Sequence, residues 1–347
     1  MKEGIAAIVV TYNRKQLLGE CLGALLNQTY PLEAVYIIDN ASTDGAPEFL
    51  LEKGLIDRVL YPDKEPLEAV KEVPLPQFSD KTVEIHYVRM TENTGGAGGQ
   101  HEGIKRGCDA GFDWLWLMDD DGLPAENCLS ELLKVSRDYN IDVVSPVVYH
   151  QNLEEPFILI ETQGHALNRD YSSKEITEEY ESVFPYGITA FLGLLVPRYV
   201  VHDIGNVKRE MFIWGDEYDF VYRIASKYKC GTVTTAAFRH PPHSKPIPLI
   251  MGRLKVYEVS DIRLFHYIRN RIFLKKTYFS YKRAILVTVE EIIKYAIYLL
   301  RKREWHKFRL VILAIWQAFT NNWQPFNPKN AFEKTTEHTE EYIENKK

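Results

Sequence analysis

The sequence is poor in cysteine, and its few cysteines do not form the pairs that disulfide-rich or zinc-binding domains use. The 347 residues include only Cys21, Cys108, Cys128 and Cys230, and no two of them stand in a C-x-x-C arrangement. This scarcity excludes a disulfide framework and a cysteine zinc site. We therefore expect reduced thiols in a cytoplasmic protein.

Long hydrophobic runs without charge are also missing. The first residues, MKEGIAAIVVTYNR, lead directly into a strand pattern, so we expect no signal peptide. The most apolar helical stretch, residues 284–300, contains Glu290, Glu291 and Lys294, which are costly in hydrocarbon. We therefore expect no transmembrane helix.

Two common glycine-rich motifs of nucleotide-binding proteins are absent. The stretch ENTGGAGG at 92–99 is not a G-x-x-x-x-G-K-[ST] loop, and it does not follow the first predicted strand as the Rossmann fingerprint requires. P-loop and Rossmann dinucleotide sites are therefore excluded. Because the stretch opens a predicted helix, its backbone N–H groups could still approach a diphosphate or a sugar.

Acidic residues are scarce in one part of an otherwise acidic chain. The net charge is −6, yet residues 253–309 contain fifteen Lys or Arg against five Asp or Glu. A basic amphipathic region of this kind either meets an anionic membrane surface or is a solvated helical face. Both alternatives stay open here, and no nucleic-acid partner is expected.

Short apolar runs alternate with helical patterns in the first third of the chain. The runs predict strands over 6–12, 34–39, 84–90 and 114–118, whereas the proline-containing stretch 57–82 predicts an inserted loop. This alternation predicts an α/β fold with a doubly wound, mostly parallel sheet. Ligands of such sheets bind beyond the carboxyl ends of the strands, where TYNR, DNASTDG and DDDG lie.

Three consecutive aspartates, Asp119, Asp120 and Asp121, follow the apolar run WLWLM. Side chains alternate along a strand, so Asp119 and Asp121 should point the same way. Two unit charges about 4 Å apart repel by about 4 kcal/mol at an effective dielectric constant near 20, so crowded carboxylates in a crevice need a cation. Oxygen ligands with open positions suit Mg²⁺ or Mn²⁺. The alternative is a solvated acidic turn.

Further candidates follow other strands. The carboxylate of Asp39 could accept hydrogen bonds from a nucleobase or ribose, while Asp39 or Asn40 could also shape the turn, and the two roles do not exclude each other. Asp216 and Glu217 either favour the start of a helix or supply a general base, with Trp214 as a wall for a sugar.

Two histidines, His240 and His243, stand beside prolines after the predicted strand GTVTTAAF. One of them could supply an imidazole to the metal. A lone histidine is more often structural, so this pair alone does not establish a metal site.

Five motifs occur in the order found in family 2 inverting glycosyltransferases, which have the A-type glycosyltransferase fold. They are AIVVTYNR, IIDNASTDG, ENTGGAGG, WLWLMDDDG and WGDEYDF. The sequence resembles this family over about residues 1–245, and it looks most like the bacterial galactofuranosyltransferase and rhamnosyltransferase branch. We expect a nucleotide-sugar-binding domain over 1–250, a basic amphipathic helical region over 251–332 and a flexible tail over 333–347.

The resemblance implies roles for individual residues. The metal, Mn²⁺ or Mg²⁺, would be held by Asp119, Asp121 and a histidine. His240 is favoured over His243 as that histidine. The base would be Asp216 or Glu217, and the sequence leaves open which. Residues expected to contact the donor are Thr11, Tyr12, Asn13, Arg14, Asp39, Asn93, Gly95, Gly96, Asp119, Asp120 and Trp214.

The reaction implied is inverting transfer of a hexose from a nucleotide-diphosphate sugar. Galactofuranose is the favoured donor sugar and rhamnose the next. The acceptor would be a glycan or a lipid-linked glycan in cell-wall or cell-surface polysaccharide biosynthesis. The enzyme would be cytoplasmic and peripheral on the inner face of the cell membrane, and the alternative is a non-catalytic sugar-binding scaffold.

Overall fold

The computed structural model describes residues 4–150, 159–162, 172–241, 247–248, 255–256, 260–324 and 326. The chain forms two compact units. The first comprises Met1–Phe212 and Asp216–Pro242, and the second comprises Ile213–Gly215 and His243–Lys347. The roles expected for residues 1–250 and 251–332 stay predictions, and the expected tail lies outside the described residues.

The first unit is built on a central sheet flanked by helices. The strands of this unit are β1 (Ile5–Thr11), β2 (Ala34–Asp39), β3 (Leu67–Pro74), β4 (Thr82–Arg89), β5 (Trp114–Asp119), β6 (Leu123–Pro124), β7 (Val143–Tyr149), β8 (Ile160–Glu161), β9 (Val183–Phe184), β10 (Gly187–Ile188), β11 (Leu192–Pro197) and β12 (Cys230–Arg239). Strands β8 and β10 pair with each other outside the central sheet. The helices of the unit are α1 (Lys15–Leu26), α2 (Ala46–Glu52), α3 (Gly95–Asp109), α4 (Cys128–Tyr139), α5 (Ser173–Glu179), α6 (Arg198–Ile204) and α7 (Asp216–Ala225), with a 3₁₀ turn at Arg209–Met211.

The central sheet has the order β3-β4-β2-β1-β5-β11-β7-β12-β6, with β9 paired to β12. Strands β4, β2, β1 and β5 are parallel, whereas β11 runs antiparallel between β5 and β7. Every residue of β1 and β2 is buried, as expected for strands covered on both faces. The predicted α/β, mostly parallel sheet is confirmed.

The predicted loop over 57–82 is wrong in part, because it contains β3. This strand pairs antiparallel with β4 at the edge of the sheet, from Leu67 opposite Arg89 to Pro74 opposite Thr82. Its prolines did not exclude a strand, since Pro66 precedes it and Pro74 ends it. Charged residues and a terminal proline are typical of edge strands.

Helix α3 packs closely on the sheet because glycines recur on one of its faces. A Cβ atom built on Gly99 would lie 2.5 Å from Val10 Cγ1, and one on Gly103 would lie 2.2 Å from Ile8 Cγ2. A Cβ on Gly107 would lie 2.6 Å from Leu115 Cδ2. No side chain larger than hydrogen fits there without a shift of the helix or the strand.

We expect Gly103→Ala to destabilise the first unit. Overpacking of a dense core costs about 1–3 kcal/mol, which exceeds the gain of up to about 1 kcal/mol from replacing glycine by alanine in a helix. Urea unfolding measures the change. The matched control is Gly23→Ala in α1, where an added Cβ has no tertiary neighbour within 4 Å among the described residues, so this variant should be neutral or stabilised. Equal effects of both substitutions would contradict the close packing of α3.

The second unit is mainly helical. It contains the two-residue strands β13 (Ile247–Pro248) and β14 (Lys255–Val256), the helices α8 (Asp261–Tyr278), α9 (Tyr281–Lys302) and α10 (Phe308–Thr320), and a 3₁₀ turn at Trp305–Lys307. The three helices share an apolar core. None of the described helices combines the length and the apolar character needed to cross a membrane.

Candidate active site

The register of the central sheet brings three predicted segments to one edge. Thr11 at the end of β1 lies opposite Asp39 at the end of β2, and Val10 lies opposite Asp119 at the end of β5. The polar segments that follow these strands therefore leave the sheet side by side. The edge is the carboxyl end of a parallel sheet, where ligands of such folds bind.

Asp119, Asp120 and Asp121 are called the acidic cluster below, and Asp120 and Asp121 contact residues from other strand ends. Thr11 Oγ1 donates a hydrogen bond to Asp120 Oδ2 at 2.7 Å. Arg14 Nη1 lies 3.3 Å from Asp120 Oδ1 and 2.6 Å from Asp121 Oδ2. His240 Nε2 lies 3.2 Å from Asp121 Oδ1. The structure thus brings together three of the predicted donor-binding residues and two of the predicted metal ligands.

The carboxyl groups of the acidic cluster titrate differently. Burial, together with repulsion from Asp121 and Asp120, raises the pKa of Asp119 to about 7. Burial also raises the pKa of Asp120 to about 6, although Thr11 and Arg14 oppose the rise. Asp121 shows the reverse: burial favours its neutral form, but His240 and Arg14 outweigh burial and lower its pKa. At neutral pH Asp119 is therefore partly protonated, whereas Asp121 is the most fully ionised of the three.

The donor atoms of this edge fit a hard divalent cation. His240 Nδ1 lies 2.6 Å from the carbonyl oxygen of Pro241, a contact that directs Nε2 towards Asp121. Orientation of this kind is typical of metal-binding histidines. Among the described residues, however, no three His, Cys, Asp or Glu side chains are already grouped as metal ligands. The predicted set of Asp119, Asp121 and His240 stays a prediction, and His243 lies outside the described residues.

Asp39 is fully buried, and both of its carboxylate oxygens are used within the protein. Oδ1 accepts a hydrogen bond from the backbone N–H of Ser42 at 2.8 Å, and Oδ2 accepts one from the Tyr87 hydroxyl at 2.7 Å. These bonds fix the turn after β2, which was one of the two roles raised by the sequence. The expected contact of Asp39 with a nucleobase stays a prediction.

The other expected donor-binding residues occupy turns near this edge. Asn13 has a left-handed backbone (φ 55°) and its Oδ1 accepts from Thr43 N at 2.7 Å, while Tyr12 is exposed. Asn93 Oδ1 accepts from the N–H of the glycine that begins α3, at 2.8 Å.

The glycines at the start of α3 have different surroundings. A Cβ on Gly95 would lie 2.0 Å from the carbonyl oxygen of Phe212, so this glycine is required by the protein backbone itself. No heavy atom of the described residues outside the helix backbone and the chain neighbours lies within 4 Å of a Cβ built on Gly96, which leaves open space there. Of the two, Gly96 is the better placed to let a ligand approach the backbone.

Two further acids, Asp216 and Glu217, begin helix α7. Asp216 is 4% exposed. Burial, the charge of Glu217 and a hydrogen bond between the two side chains raise the pKa of Asp216 well above its ordinary value, and the charge of Asp119 adds a smaller rise. Glu217 is half-buried. The pair therefore holds one carboxyl that favours its proton and a second that is more accessible.

Two neighbours of this pair have different surroundings. Asp219 is fully buried between Lys208 Nζ at 2.5 Å and Arg223 Nε at 2.9 Å, so it is engaged in the fold. Trp214 belongs to the second unit, where its ring centroid lies 5.7 Å from that of Tyr267. Its expected role against a sugar stays a prediction.

One residue that contacts the acidic cluster was not predicted. Gln100, in the middle of α3, is fully buried and its Nε2 donates to Met118 O at 3.1 Å and lies 3.4 Å from Asp119 Oδ1. A single glutamine inside a glycine-rich helix has no spacing that would mark it in the sequence. The only signal in the sequence is that this polar side chain lies on the glycine-rich face of α3, which packs on the sheet.

Comparisons with known proteins agree on one family. The model of the family "Glycosyltransferase like family 2" matches residues 3–240. The galactofuranosyltransferase GlfT1 of Mycolicibacterium smegmatis is 28% identical over an alignment of 284 residues that covers 78% of this chain and 83% of that protein. The GlfT1 of Mycobacterium tuberculosis is 30% identical over an alignment of 277 residues that covers 78% of this chain and 82% of that protein.

Solved structures show the same fold at low identity. The crystal structure of S. aureus TarS 1-349 aligns with a TM-score of 0.50 and 12% identity, covering 91% of this chain and 80% of that one. The crystal structure of GalNAc-T7 with UDP, GalNAc and Mn²⁺ aligns with a TM-score of 0.54 and 14% identity, covering 81% of this chain and 49% of that one.

Proposed function

The chain belongs to the glycosyltransferase like family 2 and is a glycosyltransferase, and from this premise we propose that it transfers galactofuranose with inversion from a nucleotide-diphosphate sugar. The choice of sugar rests on the relatives that are 28% and 30% identical, which are galactofuranosyltransferases. Rhamnose is the second candidate, from sequence resemblance alone. The proposed acceptor is a lipid-linked or cell-surface glycan, in cell-wall polysaccharide biosynthesis at the inner face of the cell membrane.

The observation that carries the donor site is the contact of the acidic cluster with Arg14 and His240 at the end of β5. We assign Asp119, Asp121 and His240 to a divalent cation, and Mn²⁺ is the first ion to test because a structure of the same fold holds it with UDP. A divalent cation bound there would stabilise negative charge on a departing diphosphate. Arg14, whose side chain is 45% exposed, is accessible to the same phosphates.

The proposed base is Glu217, with Asp216 as its positioning residue. Because burial and the charge of Glu217 raise the pKa of Asp216, this residue favours its protonated form and bonds to Glu217. The more accessible Glu217 then accepts the proton of an acceptor hydroxyl. The oxygen of that hydroxyl attacks the anomeric carbon from the face opposite the nucleotide, the bond to the diphosphate breaks, and the configuration inverts. No covalent enzyme intermediate is required.

The donor specificity is testable with the purified full chain. We expect UDP-galactofuranose with Mn²⁺ to raise the melting temperature and to be slowly hydrolysed to UDP. A ligand at a hundred times its Kd stabilises a protein by about 2.7 kcal/mol, which a thermal-shift assay detects. UDP-galactopyranose is the matched control, since it differs only in ring size, and a nucleotide-diphosphate rhamnose is the competitor. Stabilisation and hydrolysis with the rhamnose donor alone would overturn galactofuranose as the donor sugar.

A further inference from the structure

Helix α9 of the second unit is apolar on the side that faces away from its core. Its inner face, which includes Ala284, Tyr295 and Leu299, packs in the apolar core of the unit. Its outer face carries four large apolar side chains at helical spacing, with exposed fractions between 46% and 69%. These are Leu286, Val289, Ile293 and Leu300. A surface helix normally directs polar residues outwards, whereas this apolar stripe stays exposed among the residues that the structure describes.

Helix α10 repeats the pattern. Ala314 and Ala318 are buried in the core, whereas Ile312 is 49% exposed and Trp316 51% exposed. Trp305, in the turn before this helix, is 50% exposed. Together with Phe308, Arg309 and Leu313, these side chains line a shallow apolar depression.

The two helices form a hairpin. The chain segment 303–307 joins them, and at the far end the rings of Tyr281 and Phe319 lie 5.5 Å apart. Both helices pack their inner faces on the same core. Their apolar outer faces, together with Trp305, are called the outer hairpin surface below.

Positive charge surrounds this surface. Lys282 and Arg283 are exposed at the start of α9, and Arg301 and Lys302 are exposed at its end. Arg309 is exposed beside the depression on α10.

The acids of the same segment are paired. Glu290 and Glu291 bond to Lys294 and Arg271, and Glu304 bonds to Lys307. The charge directed outwards is therefore positive.

We propose that the outer hairpin surface docks on an anionic lipid bilayer. Large exposed apolar patches mark interaction sites, and the basic residues at the ends of this patch complement phosphate headgroups rather than a neutral protein surface. Tryptophan favours the boundary between headgroups and hydrocarbon, where its ring is apolar and its N–H stays wet. The helices lie in the interface and do not span it. This inference extends the proposed function by naming the surface at which the enzyme reaches a lipid-linked acceptor.

Co-sedimentation of the full chain with vesicles tests the proposal. We expect binding to phosphatidylcholine vesicles that contain phosphatidylglycerol, weaker binding to phosphatidylcholine alone, and release as the salt concentration rises. The variant Leu286→Glu should lower the partition coefficient by about tenfold or more, and the double variant Arg301→Gln/Arg309→Gln should do so on anionic vesicles only. The matched control is Leu51→Glu, because Leu51 is a 41% exposed leucine on helix α2 of the first unit.

Two results would overturn the docking surface. One is wild-type protein that stays in the supernatant with anionic vesicles at low salt. The other is a dimer of the wild type, seen by analytical ultracentrifugation, that dissociates in Leu286→Glu while vesicle binding stays the same. The surface would then hold a second copy of the chain. Vesicle binding requires neither donor nor catalysis, so a failure of the proposed transfer reaction would leave this test unaffected.

Discussion

Glu217→Gln is expected to lower the rate of sugar transfer by about 10²–10⁴-fold, the usual contribution of a general base. The amide keeps the shape of the side chain but accepts no proton. Donor binding and the melting temperature should change little, because Glu217 is half-buried and not part of the core. Single-turnover assays with a saturating donor and acceptor measure the loss, and calorimetry with UDP measures donor binding.

The substitution Asp216→Asn tests which of the two acids is the base. Asp216 is buried and its pKa is raised, which favours the neutral carboxyl, and a neutral carboxyl is close to an amide in charge and size. Asp216→Asn should therefore lose less activity than Glu217→Gln. Glu20→Gln, which changes an exposed acid on α1, is the control. A large loss in Asp216→Asn with an active Glu217→Gln would exchange their roles, and full activity in both would remove this pair from the mechanism.

The central strands could be predicted from the sequence because buried parallel strands are continuous apolar runs. The run 34–39 coincides with β2, the run 6–12 is shifted by one residue from β1, and the run 114–118 is one residue shorter than β5. Strand periodicity and the position of polar segments after each strand also predicted which edge would hold the site. These features depend on local sequence, so pattern reasoning could find them.

Pairing between distant parts of the chain could not be predicted. The edge strand β3 is partly exposed and charged, so its pattern resembles that of a loop. The antiparallel insertion of β11 between β5 and β7 depends on contacts between residues far apart in sequence.

The same limit holds for the candidate site. The sequence indicated Asp39 and Arg14 as candidates, but not that Tyr87 would bind Asp39, or that Arg14 would lie between two aspartates 106 and 107 residues away. Side-chain partners of this kind are set by the register of the sheet, which no single stretch encodes.

Asp121→Asn is expected to lower the rate of transfer by at least about a hundredfold and to abolish the response to Mn²⁺, since a cation supplies several kcal/mol of charge stabilisation in such reactions. In the structure Asp121 is the acid that contacts both Arg14 and His240, and its pKa is lowered, so it is the member of the acidic cluster most fully ionised at neutral pH. The neutral amide removes that charge but keeps the size of the side chain. Initial rates measured against Mn²⁺ concentration show the effect.

Calorimetry with UDP, with and without Mn²⁺, separates a metal role from a structural one. In the wild type we expect Mn²⁺ to strengthen UDP binding, whereas in Asp121→Asn and His240→Ala the affinity should be the same with and without the ion. Asp138→Asn, an exposed acid on α4, is the control and should behave as the wild type. If Asp121→Asn kept a full Mn²⁺ response, the ion would have to be held without this carboxylate. Since Asp121 is the carboxylate that faces His240, the assigned ligand set at the end of β5 would then be wrong.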